Sequence, residues 1–288
     1  MFTKIQIKNA IICSLLALFA LGCSEKQREI TDMQNRTVKL PVSIDRVVCL
    51  SPGITELMYE FGIEDKLVGR SSFCRLPQQV MSLPEMGGMY KLDTAAIRQI
   101  NPDLVLASSI LPWDARRFLA RNNIPVVIFK DNTVFEDIFP AIELMGKVFN
   151  LQSKAEEIKN TTQQRLSALN RSNKPSGKTV YFAIRFDNKA NLTVNGKHLT
   201  GDLLTKAGLK NIAQQDNDMV FSLEELISAD PEYIFVMKSN YDKFINTYPY
   251  NQLNAVVNKK VFAVDENLLN PLSLSNLKAV EEFEKLTD

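Results

Sequence analysis

Short apolar runs alternate with stretches of helical periodicity along residues 46–133. In the first helical stretch, Ile54, Leu57, Met58 and Phe61 recur at i, i+3, i+4 and i+7, which places them on one face of a helix. Further helices are predicted at "TAAIRQI" (94–100) and "FLARNN" (118–123). The runs typical of buried strands are "RVVCLSP" (46–52), "KLVGRSS" (66–72), "LVLA" (104–107) and "VVIF" (126–129). Strands that alternate with helices predict a parallel, doubly wound α/β lobe.

The pattern changes over residues 134–172, which contain no strand candidate. Two helical stretches fill this segment, and the second places apolar positions from Ala155 to Leu169 on one face. Its roughly 18 residues would extend nearly 30 Å at 1.5 Å per residue. We therefore predict that residues 134–172 are connecting helices rather than part of a sheet.

Strand and helix alternation resumes after "NKPSGK" and continues to the end of the chain. The strands are "TVYFAIRF" (179–186), "YIFVM" (233–237) and "KKVFAVD" (259–265), and the helices are "GDLLTKAG" (201–208), "SLEELISA" (222–229) and "NLKAVEEFEKL" (276–286). The fold class predicted for the chain is α/β, with two doubly wound parallel-sheet lobes joined by one long backbone helix. The N-terminal lobe covers residues 46–133 and the C-terminal lobe residues 173–288.

The first 22 residues are typical of a secretory signal. Lys4 and Lys8 precede an apolar segment of about 12 residues, which is too short to span about 30 Å of hydrocarbon. The signal ends in Leu-Gly-Cys, which resembles the lipobox of bacterial lipoproteins, so Cys23 is the expected lipidation site. We predict a signal peptide over residues 1–22, and a lipid-anchored tether and entry segment over residues 23–45. The protein is expected to be exported to the cell envelope or periplasm and anchored to a membrane through acylated Cys23.

Charge and cysteine content narrow the classes of partner. Removal of residues 1–22 takes Lys4 and Lys8 from 34 basic residues and leaves 32 against 33 acidic ones, a formal net charge of −1. A nearly neutral chain without basic runs argues against a nucleic-acid partner. Cys49 and Cys74 are the cysteines left outside the signal and the lipidation site. In an oxidising compartment they either pair or remain buried thiols, and the sequence leaves both alternatives open.

Motifs for catalysis are absent from the sequence. His198 is the single histidine, so neither a cluster of imidazole metal ligands nor a three-histidine zinc site can form. The sequence has no G-x-S-x-G elbow, no Walker loop and no G-x-G-x-x-G after a strand. A Ser-His-acid triad around His198 is conceivable, but no spacing favours it. We therefore expect no enzyme activity, no catalytic residue, no metal site and no resident cofactor.

Loops at the carboxyl ends of parallel strands are where open α/β sheets bind ligands. In the first lobe these loops carry Phe73, Arg75, Met89, Tyr90 and Trp113. In the second lobe they carry Arg185, His198 and Tyr241. Aromatic groups with polar tips, interleaved with cations, suit a large flat ligand with amide or anionic substituents. We predict that these eight residues bind the ligand.

An ordered series of motifs resembles the class III periplasmic substrate-binding proteins of ABC importers, of the cobalamin and ferric-siderophore type. The series is S-P-x-x-T-E in "SPGITE", G-x-S-S-F-C-x-x-P in "GRSSFCRLP", P-x-x-G-G in "PEMGG", and then "NPDLVLA". The similarity extends over about residues 38–286 in "RVVCLSPGITELMYEFGIEDKLVGRSSFCRLP", "SLEELISADPEYIFV" and "NKKVFAVDENLLN". The resemblance implies two rigid lobes, a connecting helix and a ligand in the cleft between the lobes.

The resemblance also implies docking on a permease through one acidic residue of each lobe. In the second lobe this acid falls on Glu224, with Glu225 beside it. In the first lobe the matching position is Ala95, and Asp93 is the nearest carboxylate. The arginine that often grips an anionic iron chelate is missing from "NLLNPLSLSN", which favours a corrinoid over hydroxamate or catecholate chelates.

The leading hypothesis is therefore a monomeric, lipid-anchored receptor that captures cobalamin or a related corrinoid and delivers it to an ABC importer permease. The alternative within the family is a receptor for a ferric siderophore or haem, in which Tyr90, Met86 or Met89 would contact iron. Alternatives of another class are an exported α/β hydrolase and an envelope scaffold lipoprotein.

Overall fold

A computed structural model describes residues 28–88, 90–131, 133–172, 177–186, 191–215 and 219–287. Side chains are described for all of these residues except 170–172. It starts with an antiparallel hairpin of β1 (Arg28–Thr31) and β2 (Thr37–Leu40), closed by the pair Thr31 and Thr37. In the turn, the Asp32 carboxylate accepts hydrogen bonds from Arg36 and from the backbone N–H of Ile128 at 3.2 Å. These contacts fasten the hairpin to the first lobe, so residues 28–40 are folded where the sequence predicted a tether.

The first lobe is a parallel sheet in the order β4-β3-β7-β8. Its strands are β3 (Val47–Cys49), β4 (Leu67–Arg70), β7 (Leu104–Ser108) and β8 (Val126–Phe129). The helices around it are α1 (Pro52–Glu60), α2 (Thr94–Ile100) and α3 (Trp113–Arg121), and a small hairpin of β5 (Gly87–Gly88) and β6 (Lys91–Leu92) follows β4. Val47, Leu104 and their neighbours on the central strands are fully buried, as expected for a parallel sheet with helices on its faces.

Two helices follow the first lobe. α4 (Ile138–Phe149) packs against α1. The next residue, Asn150, is the C-cap, and its left-handed backbone conformation terminates the helix. α5 (Gln152–Ser172) has 21 residues, about 31 Å at 1.5 Å per residue, and contacts both α4 and the last helix of the chain. The segment is therefore helical as predicted, and α5 is the helix that links the two lobes.

The second lobe repeats the first with a parallel sheet in the order β11-β9-β13-β14. Its strands are β9 (Thr179–Ala183), β11 (Lys210–Asn211), β13 (Tyr233–Met237) and β14 (Val261–Val264), and β10 (Asn191–Leu192) pairs antiparallel with β12 (Val220–Phe221). Its helices are α6 (Leu199–Lys206), α7 (Leu223–Ala229), α8 (Tyr241–Asn246), α9 (Asn254–Val257) and α10 (Asn276–Thr287). The two-lobed α/β fold with parallel sheets is thus confirmed.

The lobes meet in a continuous apolar core and in several polar contacts. One buried cluster extends from Val47 in the first sheet to Phe182 and Phe283 in the second lobe. Gly53 of α1 lies against the segment that follows β14 in the second lobe. A Cβ added to Gly53 would be 2.0 Å from the carbonyl oxygen of Pro271. This proximity leaves little freedom for the lobes to rotate about each other.

Polar contacts fasten the same junction at two places. The Glu56 carboxylate of α1 accepts hydrogen bonds from the hydroxyls of Ser273 and Ser275 at 2.7 and 2.6 Å. On the other side, the Asp202 carboxylate of α6 accepts the backbone N–H of Phe135 at 2.8 Å. Of the helices that the structure describes, none combines the length and the apolar character of a membrane-spanning segment.

Candidate functional site

A cavity of about 350 Å³ lies between the two lobes. It falls in the size range of pockets for small-molecule ligands. The first lobe lines it with Leu50, Ser51, Pro52, Ser71, Phe73, Gly88, Ala107, Ser108, Ile110, Leu111 and Asp131, and the second lobe with His198, Asn270 and Pro271. The walls are mainly apolar, with hydroxyls, one carboxylate, one imidazole and one carboxamide at intervals.

The topology of the first lobe explains this collection. β3, β4, β7 and β8 are parallel neighbours, so the residues that follow them meet at one edge of the sheet. Ser51, Ser71 and Ser108 stand at three of those strand ends, and Asp131 stands two residues beyond the fourth. Together they place three hydroxyls and a carboxylate within the mainly apolar first-lobe side of the cavity.

Phe73 projects from the loop after β4 and is 45% exposed at the cavity. Its backbone N–H donates to the Ser71 hydroxyl at 3.1 Å. Behind the loop lies Arg70, a cation that is only 3% exposed. Its guanidinium donates to the carbonyls of Ser71 and Cys74 at 3.1 and 3.4 Å and pairs with Glu85 at 2.9 Å. Arg70 therefore holds the loop that presents Phe73.

Replacement of Arg70 by Met is expected to loosen this loop. The change removes the charge together with its bonds to the two carbonyls, and Glu85 is half exposed and stays solvated. We expect a loss of about 1–3 kcal/mol in the free energy of unfolding, the size of hydrogen bonds to a charged group. Urea unfolding measures this loss, with Arg75→Met as control because Arg75 is exposed in the same loop. Equal stability of the two variants would contradict the role given to Arg70.

Asp131 is the one carboxylate among the described residues that line the cavity. Its Oδ2 accepts the hydroxyl of Ser109 at 2.7 Å. Burial raises the pKa of Asp131, and hydrogen bonds from Ser109 and Ser108 oppose that rise. The group is thus a hydrogen-bond acceptor held in place by neighbouring hydroxyls.

His198 faces the cavity from the second lobe, where it caps the N-terminus of α6. The backbone N–H of Thr200 donates to its Nδ1 at 3.1 Å. Burial lowers the pKa of His198, so the imidazole is neutral at pH 7. Because Nδ1 accepts a hydrogen bond, we assign the proton of the neutral ring to Nε2.

The lining contains no lysine and no arginine among the described residues. The predicted cations Arg75 and Arg185 are both exposed and lie outside the cavity lining. Among the described residues of the lining, Asp131 is therefore the one with a formal charge when His198 is neutral.

The remaining predicted ligand-binding residues occupy different positions. Tyr90 is 83% exposed in the turn between β5 and β6, and Trp113 is 67% exposed at the start of α3 with the Arg117 guanidinium 5.1 Å from its ring centroid. Tyr241 packs against the core of the second lobe, and its hydroxyl donates to the carbonyl of Val261 at 3.4 Å. Of the eight predicted residues, Phe73 and His198 line the cavity; Met89 lies outside the described residues.

The predicted docking acids lie at the N-termini of helices. The Asp93 carboxylate caps α2 by accepting the backbone N–H groups of Ala95 and Ala96 at 3.0 and 2.9 Å. Glu225 closes a capping box with Ser222 on α7, and its neighbour Glu224 is exposed. These contacts give Asp93 and Glu225 a structural role at helix ends. The predicted lipidation site, Cys23, lies outside the described residues.

The two remaining cysteines are free thiols in the structure. Cys49 and Cys74 are both buried, and Cys74 accepts the hydroxyl of Thr55 at 3.3 Å. Burial raises the pKa of Cys49 to about 12. Both are therefore protonated, inert parts of the first-lobe core. Among the described residues there is no group of three or more His, Cys, Asp or Glu side chains that could hold a metal ion.

Comparison with known proteins gives consistent matches over most of the chain. The family described as "Periplasmic binding protein" matches residues 47–268. The uncharacterized ABC transporter substrate-binding lipoprotein YvrC of Bacillus subtilis is 24% identical over 264 residues, which cover 88% of this chain and 83% of that protein. The Vitamin B12-binding protein of Vibrio parahaemolyticus is 25% identical over 243 residues, which cover 83% and 88%.

A solved structure matches equally widely. The periplasmic heme binding protein HutB of Vibrio cholerae superimposes with a TM-score of 0.77 at 21% identity, covering 85% of this chain and 99% of that chain. At this identity the likeness concerns the fold.

Proposed function

The chain belongs to the periplasmic binding protein family, and from this membership we propose that it is a receptor for cobalamin or a related corrinoid. The family consists of substrate-binding proteins of transport systems. In the proposed function, the ligand is captured between the lobes and delivered to the permease of an ABC importer. No bond of the ligand changes.

The observation that carries the proposal is the charge of the cavity lining. Haem propionates and most siderophores are anionic, and proteins recognise such groups with arginine or lysine. The described lining has neither, and its carboxylate, Asp131, opposes an anion. A corrinoid instead presents apolar ring edges and neutral amide groups, which suit an apolar wall with the hydroxyls of Ser51, Ser71 and Ser108.

The size of the site agrees with a ligand that is only partly enclosed. A cavity of about 350 Å³ accepts one edge of a corrin ring. The rest of the ring then extends out of the cavity past Phe73, whose aromatic ring is exposed there.

Membrane attachment and permease docking complete the proposal. Leu21, Gly22 and Cys23 supply the lipidation signal, and the relative YvrC is by name a lipoprotein. Glu224 is exposed on α7, and we propose that it contacts the permease from the second lobe.

The alternative within the family is a receptor for haem or a ferric siderophore. Its proposed iron contacts have little support in the geometry, because Met86 is 1% exposed in the first-lobe core and Tyr90, exposed on a turn, is not part of the cavity lining. A hydrolase and an envelope scaffold are the alternatives of another class.

A spectroscopic titration separates these functions. Cyanocobalamin added to the protein is expected to quench the fluorescence of Trp113, the single tryptophan, with half-saturation at micromolar concentration or below. Haemin and a ferric hydroxamate serve as competing ligands. The visible spectrum of the freshly purified protein adds a second measurement, because a corrinoid is pink, haem has a Soret band and an iron chelate is amber. Unchanged fluorescence with cyanocobalamin, together with saturable binding of haemin, would contradict the proposal.

A further inference from the structure

Two hydrogen-bonding groups of opposite character face the cavity from opposite lobes. Asp131, beyond β8, lines it from the first lobe, and His198, before α6, lines it from the second. The carboxylate can only accept hydrogen bonds while it is ionised. The imidazole tautomer decides what His198 offers.

The hydrogen bond from Thr200 determines that tautomer. Since the backbone N–H of Thr200 donates to Nδ1 at 3.1 Å, the lone pair of Nδ1 is occupied. The proton of the neutral ring is then on Nε2, which presents an N–H donor and no free lone pair. His198 in this state is a hydrogen-bond donor and a poor ligand for cobalt or iron.

Asp131 is held as an acceptor by its own neighbours. The Ser109 hydroxyl donates to Oδ2 at 2.7 Å and fixes the orientation of the carboxylate. With no lysine or arginine in the described lining, the negative charge of Asp131 has no cation at the wall to neutralise it. A ligand group that donates hydrogen bonds is favoured here, whereas a carboxylate is repelled.

We propose that Asp131 and His198 select ligands with primary carboxamide substituents over the corresponding carboxylic acids. Asp131 accepts from an amide NH₂ group, and the His198 Nε2–H donates to an amide carbonyl. A primary carboxamide combines both partners, and corrinoids carry several of them around the ring. The inference rests on the proposed function and adds the basis of its specificity.

The experiment compares two probes that differ in one functional group. Cyanocobalamin and its monocarboxylic acid derivatives, in which one peripheral amide is hydrolysed, are titrated by isothermal calorimetry at pH 7 into the wild-type chain. We expect the acid that replaces the bound amide to bind at least about tenfold more weakly, the effect of roughly 1.4 kcal/mol.

Two variants separate the roles of the two residues. Asp131→Asn removes the repulsion, so the preference for amide over acid should fall to less than about threefold, which is under 1 kcal/mol. His198→Asn keeps a helix-capping side chain and removes the Nε2 donor, so affinity for both probes should fall together while their ratio remains. Asp114→Asn is the control for charge, because Asp114 is an exposed carboxylate of the first lobe outside the cavity lining.

The outcomes are distinguishable. Wild-type protein that binds cyanocobalamin and its acids equally overturns this inference and leaves the proposed function standing, as does an Asp131→Asn variant that retains the full preference. Wild-type protein that binds no corrinoid overturns both. If Asp131→Asn fails to fold, as judged by circular dichroism, the wild-type preference and the His198→Asn ratio still decide.

Discussion

Replacement of Gly53 by alanine is expected to push the lobes apart where α1 meets the backbone of Pro271 and Leu272. The new Cβ would lie 2.0 Å from the Pro271 carbonyl oxygen and 2.7 Å from the carbonyl carbon of Leu272, so α1 or the facing backbone must move. We expect the free energy of unfolding to fall by about 3 kcal/mol, the upper end of the cost of overpacking. For a chain of this size, the fall in Tm is roughly 6–12 °C. Calorimetry measures it.

A second readout distinguishes this effect from general loss of stability. Pro52 and Pro271 flank the clash and both line the cavity, so Gly53→Ala should also weaken ligand binding. Gly62→Ala is the matched control: its φ of +69° strains an alanine by about 1–2 kcal/mol, but no atom lies within 4 Å of the new Cβ. Identical Tm and affinity for the two variants would show that the contact at Gly53 is not close.

Truncation of Glu56 to alanine is the other change with a large expected effect. The Ser273 and Ser275 hydroxyls would lose their buried acceptor, and a void would remain in the junction. We expect a loss of about 2–4 kcal/mol in the free energy of unfolding, measured by urea denaturation. Glu56→Gln, by contrast, keeps a carbonyl oxygen for both hydroxyls, and its stability at pH 7 should equal or exceed that of the wild type.

The pH dependence of these variants tests the protonation of Glu56. Burial raises its pKa above the usual 4.5, assisted by Glu60 and opposed by the two serines and Lys278. The folded state therefore holds this proton more tightly than the unfolded state, and its stabilising effect is complete below pH 4.5 and decreases as the pH rises through the folded pKa.

In the Glu56→Gln variant the side chain at this position no longer ionises. Its stability relative to the wild type should increase from pH 4.5 towards neutrality. A constant difference between the two proteins over this range would contradict the raised pKa of Glu56.

Periodicity predicted the central strands of both sheets and the helical segment between the lobes. Val126–Phe129 is a strand with the predicted bounds, because an apolar run between two helices is buried on both faces. The hairpin at residues 28–40 was not predicted, since its contacts depend on Asp32 reaching Ile128, which is distant in sequence. Trp113 begins α3, although it was assigned to a loop, because a helix start leaves little pattern without a capping side chain.

For the candidate site, the sequence indicated the correct sheet edge more reliably than the individual side chains. Phe73 and His198 line the cavity, but Asp131 was missed although it follows a predicted strand at that edge. The sequence did not reveal the order of the strands in the sheet. Asp131 lies beside Ser108 because β8, which precedes Asp131, pairs with β7, which ends at Ser108. Tyr241, chosen as an aromatic residue in a loop, is instead part of the second-lobe core, and loop composition alone does not reveal that burial.

The apolar cluster shared by both lobes implies a single cooperative unit. Thermal unfolding then follows one calorimetric transition, and any ligand held at the cleft raises the melting temperature of the whole molecule by mass action. We therefore expect ligand exchange to proceed without wide rotation of the two halves.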